Sequence, residues 1–203
     1  LSYAIISLAY AWAQTPGELT LVRLVHGLGG AMIIPIATAY VGEIAPDDKL
    51  GRYMGYFNTS LFLGFGLGFI LGGFLSHHFG MNASFYSMGA ICLVAFFAIL
   101  LLLPESRLER EGSEISPRKI IESDIGKALM SFRLSNSMAR GIFSCFIPIF
   151  AGLSLGLNTA QIGTLLAVNT LLAGFFQMPF GRLADRFSRK KLVAAGNLVD
   201  MLF

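Results

Sequence analysis

The chain has few charged residues. Only 13% of its 203 residues are Asp, Glu, Lys or Arg, while 55% are hydrophobic, and soluble domains carry about 25% charged residues. A chain of this size cannot bury so much apolar surface in one water-soluble core. The composition therefore argues against a soluble globular domain and predicts a membrane protein.

Several classes of functional site are also missing from the sequence. The two cysteines, Cys92 and Cys145, are too few for a disulfide scaffold. His77 and His78 are adjacent, but a metal site would need more ligands nearby. No nucleotide-binding loop, metal triad or nucleophile motif occurs, so we expect no enzyme activity, no cofactor and no nucleic-acid partner.

Long apolar stretches account for most of the chain. A spanning helix needs about 20 apolar residues, and five stretches meet or approach that length: Leu19–Gly42, Tyr53–Leu75, Ser84–Leu103, Met138–Leu157 and Ala160–Phe180. Two shorter runs, Leu1–Ala13 and Leu192–Phe203, touch the chain ends, and the first residue is not Met. We therefore expect an all-α polytopic bundle that is an internal piece of a longer protein.

The basic residues predict the topology. Alternate connections hold 14 of the 15 Lys and Arg residues: two in 43–52, seven in 104–140 and five in 181–191. Cytoplasmic loops carry such an excess of positive charge. Loops 43–52, 104–137 and 181–191 are therefore predicted to be cytoplasmic, and Arg23 is the one basic residue inside a spanning segment.

The longest connection divides the chain. Within 104–137, the segment Pro117–Phe132 places Ile120, Ile121, Ile125 and Leu129 at near-helical spacing between charged residues. This pattern predicts an amphipathic helix on the cytoplasmic membrane surface. We expect residues 1–103 to close one half of a transporter and residues 138–203 to begin the other.

The segment Gly181-Arg-Leu-Ala-Asp-Arg-Phe-Ser-Arg-Lys190 joins two apolar runs. We expect Gly181 to let the chain leave the first helix without a side-chain clash. Asp185 would lie near the positive end of the next helix dipole or pair with a cation across the turn. The segment resembles the major facilitator superfamily signature Gly-x-Leu-Ala-Asp-Arg-x-Gly-Arg-Lys, with Ser188 replacing the second Gly. The resemblance implies a conformational role for Gly181, Asp185, Arg186, Arg189 and Lys190.

Two further motifs resemble the same family. Arg23-Leu-Val-His-Gly27-Leu-Gly29 is similar to its helix 4 motif Arg-x-x-Gln-Gly-x-Gly, with His26 replacing Gln. Five glycines match its helix 5 spacing, which is typical of drug–proton antiporters, with Phe69 replacing Pro: Gly55, Gly64, Gly68, Gly72 and Gly73. These matches number the spans as helices 3 to 9 of a 12-helix parent.

The helix 5 glycines form two rows. At about 100° per residue, Gly55, Gly66 and Gly73 fall within about 20° of one another, while Gly64, Gly68 and Gly72 form a second row. Small residues let helix backbones approach closely in lipid, so we expect helix 5 to be gripped on two sides. The contact is either static packing or a surface that moves during alternating access.

Arg23 has two interpretations. A cation within a spanning segment costs about 2.5–3.5 kcal/mol on insertion scales, so it faces a cavity or snorkels to the interface. The resemblance makes it the proton-coupling arginine, and its acidic partner would lie outside this sequence. Further candidates along the proton or substrate pathway are Asn58, Asn169, Gln177 and Asp200.

The resemblance implies a proton-gradient-driven efflux antiporter for small amphipathic molecules, working by alternating access. We expect a monomer in the bacterial inner membrane. The alternatives are a nutrient symporter or uniporter of the same fold, or a membrane sensor that transports nothing.

Overall fold

The computed structural model describes residues 1–104 and 122–202. These ranges contain seven α-helices and no strand: α1 Ser2–Trp12, α2 Pro16–Ile44, α3 Leu50–Phe79, α4 Met81–Leu102, α5 Asp124–Leu153, α6 Thr159–Arg186 and α7 Arg189–Leu202. Helices α2 to α6 are long and apolar enough to cross a membrane. The predicted all-α membrane bundle and its five spans are confirmed, with α1 to α7 corresponding to helices 3 to 9.

The first residues of α2 explain why it begins earlier than its apolar run. The Thr15 side chain accepts a hydrogen bond from the Glu18 amide, while the Glu18 carboxylate accepts one from the Thr15 amide. Pro16 occupies the first turn, where its missing N–H costs nothing. This reciprocal cap satisfies free donors of the helix end, so α2 starts at Pro16 rather than at Leu19.

Helices α5 and α6 also run beyond their apolar stretches. The α5 helix begins at Asp124, where the Ser123 hydroxyl accepts a hydrogen bond from the Gly126 amide at 3.0 Å. Residues 124–132 of the predicted surface helix are therefore continuous with the spanning helix, and its first residues lie outside the described part. At the other end, α6 continues to Arg186.

The role predicted for Gly181 at a helix exit is therefore wrong. Gly181 lies inside α6, and the positive φ angles of the described residues occur only at Gly80 (85°) and Gly156 (67°). Backbone hydrogen bonds hold a helix together whether or not its side chains are apolar, so the end of the hydrophobic run did not end the helix. Only Phe187 and Ser188 separate α6 from α7.

The described helices form two compact units. One contains α1 to α4 together with α6 and α7, and the other contains α5. In the first unit, α3 packs along α6, and α1 packs against α2 and α4. Ser7 of α1 is fully buried, and its hydroxyl donates to the Ala4 carbonyl at 2.7 Å.

The large apolar side chains point mainly outward. Leu101 of α4 is 81% exposed and Leu153 of α5 is 84% exposed. In water such surfaces would drive aggregation, whereas lipid tails are as apolar as the side chains themselves. The buried residues of α3 and α6 are accordingly all small, namely Gly55, Gly66, Gly163, Ala167 and Gly174, and this brings the two backbones together.

Candidate functional site

One face of α3 lies directly against the α6 backbone. A Cβ at Gly55 would lie 3.1 Å from the Gln177 carbonyl oxygen and 3.3 Å from the Met178 Cα. At Gly73 it would lie 2.7 Å from the Thr159 carbonyl oxygen. Gly66 faces the Leu171 side chain. The three glycines therefore share one side of α3, in agreement with their spacing.

Helix α6 contributes a matching row of glycines. A Cβ at Gly181 would lie 2.5 Å from the Gly51 carbonyl oxygen and 3.0 Å from the Gly55 Cα. Gly163 meets the Phe69 carbonyl oxygen and the Gly73 Cα, while Gly174 meets the Phe62 side chain. Glycine on both helices lets the two backbones touch near Gly55 and Gly73, while the Leu171 and Phe62 side chains pack against the glycines between them.

Hydroxyl groups add hydrogen bonds along this contact. Thr59 of α3 donates to the Gly174 carbonyl of α6 at 3.1 Å, and Thr159 of α6 donates to the Gly73 carbonyl of α3 at 3.5 Å. The contact extends from Gly51 to Gly73 on α3, a rise of about 33 Å at 1.5 Å per residue. That length is comparable with the hydrocarbon thickness of a bilayer, about 30 Å.

The second glycine row is not gripped by the described chain. A Cβ at Gly64, Gly68 or Gly72 would meet nothing within 4 Å. Helix α3 nevertheless contacts α2 and α4 as well as α6, and the Gly72 carbonyl accepts a hydrogen bond from the Ser84 hydroxyl at 2.9 Å. A second close contact through this glycine row therefore stays a prediction. Spacing places residues on a common face but does not supply a neighbour for it.

Asp185 joins the end of α6 to the start of α3. Its carboxylate accepts hydrogen bonds from the Gly51 amide at 2.7 Å and the Arg52 amide at 2.9 Å. These are the second and third residues of α3, whose own N-cap residue Lys49 provides no side-chain hydrogen bond. The carboxylate therefore sits at the positive end of the α3 dipole, and not at that of the following helix as the sequence suggested.

Basic side chains surround this junction, which we call the basic end. Arg182 donates to the Tyr56 hydroxyl at 3.2 Å. A cavity of about 470 Å³ opens there, lined by Asp48, Lys49, Arg52, Pro179, Arg182, Leu183, Asp185 and Arg186. Of the other motif residues, Lys190 is exposed, and the Arg189 side chain lies outside the described residues.

The helix 4 motif lies on α2, near α1. Arg23 is exposed and forms no hydrogen bond or ion pair within the described ranges. His26 Nδ1 lies 3.0 Å from the Tyr10 hydroxyl. A Cβ at Gly29 would lie 3.7 Å from the Ser2 Oγ, while one at Gly27 would meet nothing within 4 Å. The structure thus places His26, but not Arg23, against a neighbouring helix.

The other polar candidates are spread over several helices. Asn58 and Gln177 are half-buried on α3 and α6, and Asn169 of α6 is exposed. Asp200 lies on α7, and its side chain is outside the described residues. No group of three or more metal-ligating side chains occurs among the residues that the structure describes.

Sequence reasoning missed Gly163 and Gly174 of α6 and gave Gly181 a different role, although a signal was present. Gly55, Gly66 and Gly73 are separated by eleven and seven residues, and Gly163, Gly174 and Gly181 repeat the same separations. Both intervals nearly complete whole helical turns. Each row therefore marks one face of its helix. The two faces pair in reversed order, with Gly55 meeting Gly181 and Gly73 meeting Gly163. Tyr10 carried no comparable signal, because nothing in the sequence links it to His26.

Comparison with known proteins identifies the family. The family model described as Major Facilitator Superfamily matches residues 1–133 and 128–202. The chain belongs to the major facilitator superfamily. No solved structure matched significantly.

Individual superfamily relatives are distant. An uncharacterised MFS-type transporter, MJ1560 of Methanocaldococcus jannaschii, is 26% identical over 94% of this chain and 51% of its own length. Multidrug resistance protein MdtG of Klebsiella pneumoniae is 26% identical over 100% of this chain and 51% of its own. Multidrug resistance protein 2 of Bacillus subtilis is 26% identical over 84% of this chain and 45% of its own length. The chain thus spans about half the length of the curated relatives it matches.

Proposed function

We propose that the protein is a secondary transporter that exports small amphipathic molecules by alternating access, driven by a proton gradient. The observation that carries the proposal is the contact between α3 and α6, sealed at the basic end by Asp185. By resemblance, α3 belongs to one half of the transporter and α6 to the other. Their contact is therefore a surface on which the halves would move.

The composition of this contact suits such movement. Backbone atoms and glycines meet at both ends of it, and the Leu171 and Phe62 side chains pack on glycines in its middle, so few side chains would have to rearrange in a small displacement. The Thr59 and Thr159 hydroxyls donate to carbonyl oxygens, and such bonds can re-form with a neighbouring carbonyl. Close packing of small residues supports helix association in lipid, where no hydrophobic force does so.

Asp185 would act as a latch at the cytoplasmic side. Its two hydrogen bonds are charge-assisted and stronger than those between neutral groups. They exist only while the end of α6 touches the start of α3. Opening the cytoplasmic side would separate these ends, so the latch stabilises the state that is closed there.

The relatives bear on the direction of transport. Two of them are named as multidrug resistance proteins, which supports export of drug-like molecules. Together with the alternating distribution of basic residues, this leads us to place the protein in a bacterial inner membrane. Loops 43–52, 104–137 and 181–191 would then be cytoplasmic, with a monomer as the working unit.

The test uses the product of the full open reading frame in liposomes. An imposed pH gradient should drive accumulation of an amphipathic fluorescent cation such as Hoechst 33342, and a protonophore should abolish it. Flux down the concentration gradient that ignores the pH gradient would indicate a uniporter. Movement of substrate together with protons would indicate a symporter, and no flux for any tested amphipathic substrate would indicate a sensor.

A further inference from the structure

His26 is held at a meeting point of helices α1 and α2. Its Nδ1 lies 3.0 Å from the Tyr10 hydroxyl, and its ring meets the Tyr3 ring edge to face at a centroid distance of 4.7 Å. Tyr10 is 8% exposed, and its ring stacks on Phe85 of α4 at 5.4 Å. The imidazole is therefore fixed by two side chains of α1, one of which is itself anchored on α4.

The Tyr10 hydroxyl can remain hydrogen-bonded to the His26 ring when the charge of that ring changes. A neutral imidazole has one N–H donor and one free acceptor nitrogen, and a tyrosine hydroxyl both donates and accepts. If Nδ1 accepts from Tyr10, a proton added at Nδ1 reverses the bond, and the hydroxyl then accepts. If Nδ1 already donates, the proton is added at Nε2. Either tautomer can gain or lose one proton while the contact is kept.

The side chains around His26 leave the histidine itself as the residue that can bind and release a proton. Tyr3 and Tyr10 face the ring from α1, and Arg23 lies one turn earlier on its own helix. No carboxylate is among these neighbours. An arginine guanidinium does not act as a proton donor in proteins. Histidine is the side chain whose charge ordinarily changes between about pH 5 and 8.

The position of His26 within the membrane makes the charge of its imidazole sensitive to conformation. His26 is ten residues beyond Pro16, the first residue of α2, or about 15 Å along the axis. A charged group is more stable in water than in a low-dielectric interior. Opening the cluster to water and closing it again would therefore load and release one proton.

We propose that His26 is a proton-binding residue of helix α2, with the Tyr10 hydroxyl as its hydrogen-bond partner in both charge states. Because it names the residue that carries the proton, the proposal rests on the proton-coupled transport proposed above. In that scheme Arg23 supplies a fixed charge, and His26 supplies the variable one.

A direct titration tests the proposal without any transport. The product of the full open reading frame, labelled with carbon-13 and nitrogen-15 histidine, is placed in lipid nanodiscs. The His26 signal is assigned by its loss in His26→Gln, which introduces the family residue and should preserve folding. We expect the His26 signal to change between its neutral and charged forms as the pH is varied. Tyr10→Phe, which keeps the ring but removes the hydroxyl, should shift its midpoint, while His78→Gln should not.

A transport measurement then separates this proposal from the proposed function. His26→Gln should retain downhill flux of Hoechst 33342 but lose acceleration by the pH gradient, whereas His78→Gln should match the wild type. A His26 that stays in one charge state, or coupling that survives in His26→Gln, would overturn the proton site. If the wild type shows no proton-driven flux, the proposed function fails. The titration alone then shows whether His26 binds a proton.

Discussion

Neighbouring glycines on α3 provide a matched test of the α3–α6 contact. Gly72 and Gly73 are adjacent, but a Cβ at Gly72 meets nothing within 4 Å, whereas one at Gly73 lies 2.7 Å from the Thr159 carbonyl oxygen and 3.2 Å from the Gly163 Cα. Ordinary contacts begin at 3.4 Å, so Gly73→Ala requires the helices to separate by about 0.7 Å. The obstructing atoms belong to the α6 backbone and cannot rotate away.

The expected magnitude follows from two opposing terms. Replacing glycine by alanine inside a helix stabilises it by about 0.8–1.0 kcal/mol, and this gain is common to both variants. Overpacking costs about 1–3 kcal/mol and applies only to Gly73→Ala. The free energies of unfolding of the two variants should therefore differ by about 1–3 kcal/mol, with Gly72→Ala the more stable.

The measurement is unfolding of the purified product of the full open reading frame in mixed micelles with increasing denaturing detergent, followed by circular dichroism. Transport of Hoechst 33342 is measured in parallel at matched membrane abundance. We expect Gly73→Ala to be less stable and slower than Gly72→Ala. Equal stability and equal transport in the two variants would refute a close backbone contact at this position.

Three other predictions concern the basic end, the second glycine row and the helix 4 motif. Asp185→Asn should weaken the cytoplasmic latch by about 1–3 kcal/mol. The neutral amide loses the dipole interaction, and its single acceptor oxygen can replace only one of the two charge-assisted bonds, by a neutral one. Transport should fall at near-normal expression, whereas Asp48→Asn should have little effect; wild-type transport in Asp185→Asn would contradict the latch. Gly66→Leu should lower the free energy of unfolding more than Gly68→Leu, because only Gly66 faces Leu171, and the reverse order would contradict the assignment of the two faces. Arg23→Lys should reduce proton-driven efflux while insertion stays normal, because an ammonium lacks the planar fork of donors; equal rates and pH dependence would leave Arg23 as an interfacial anchor.

The spans were predictable, but their ends were not. Apolar length is set by the bilayer and is visible in the sequence, so all five long helices were found. Helix ends depend on local backbone partners. The Thr15–Glu18 cap starts α2 before its apolar run, and the Asp185 segment extends α6 beyond its own run. A search for capping residues would have found the first of these ends.

Contacts between helices were predictable only in part. Spacing placed Gly55, Gly66 and Gly73 on one face. The same argument predicted a second face equally well, formed by Gly64, Gly68 and Gly72. In the described chain a Cβ on the first row would meet α6, whereas one on the second row would meet nothing within 4 Å. Likewise, Asp185 was expected at a helix N-terminus, but the helix is α3, 134 positions away from it. A dipole argument identifies the kind of partner and not which helix provides it.

That sequence separation has a consequence for biosynthesis. The α3 amides and the Asp185 carboxylate are 134 positions apart, and ribosomes add about 5–20 residues per second. The start of α3 therefore leaves the ribosome about 7–27 s before its cap exists. During that interval its glycine face has no α6 to meet, so the insertion machinery or surrounding lipid must shield it. Slowed elongation between α3 and α6 would prolong the period in which the nascent protein is open to degradation.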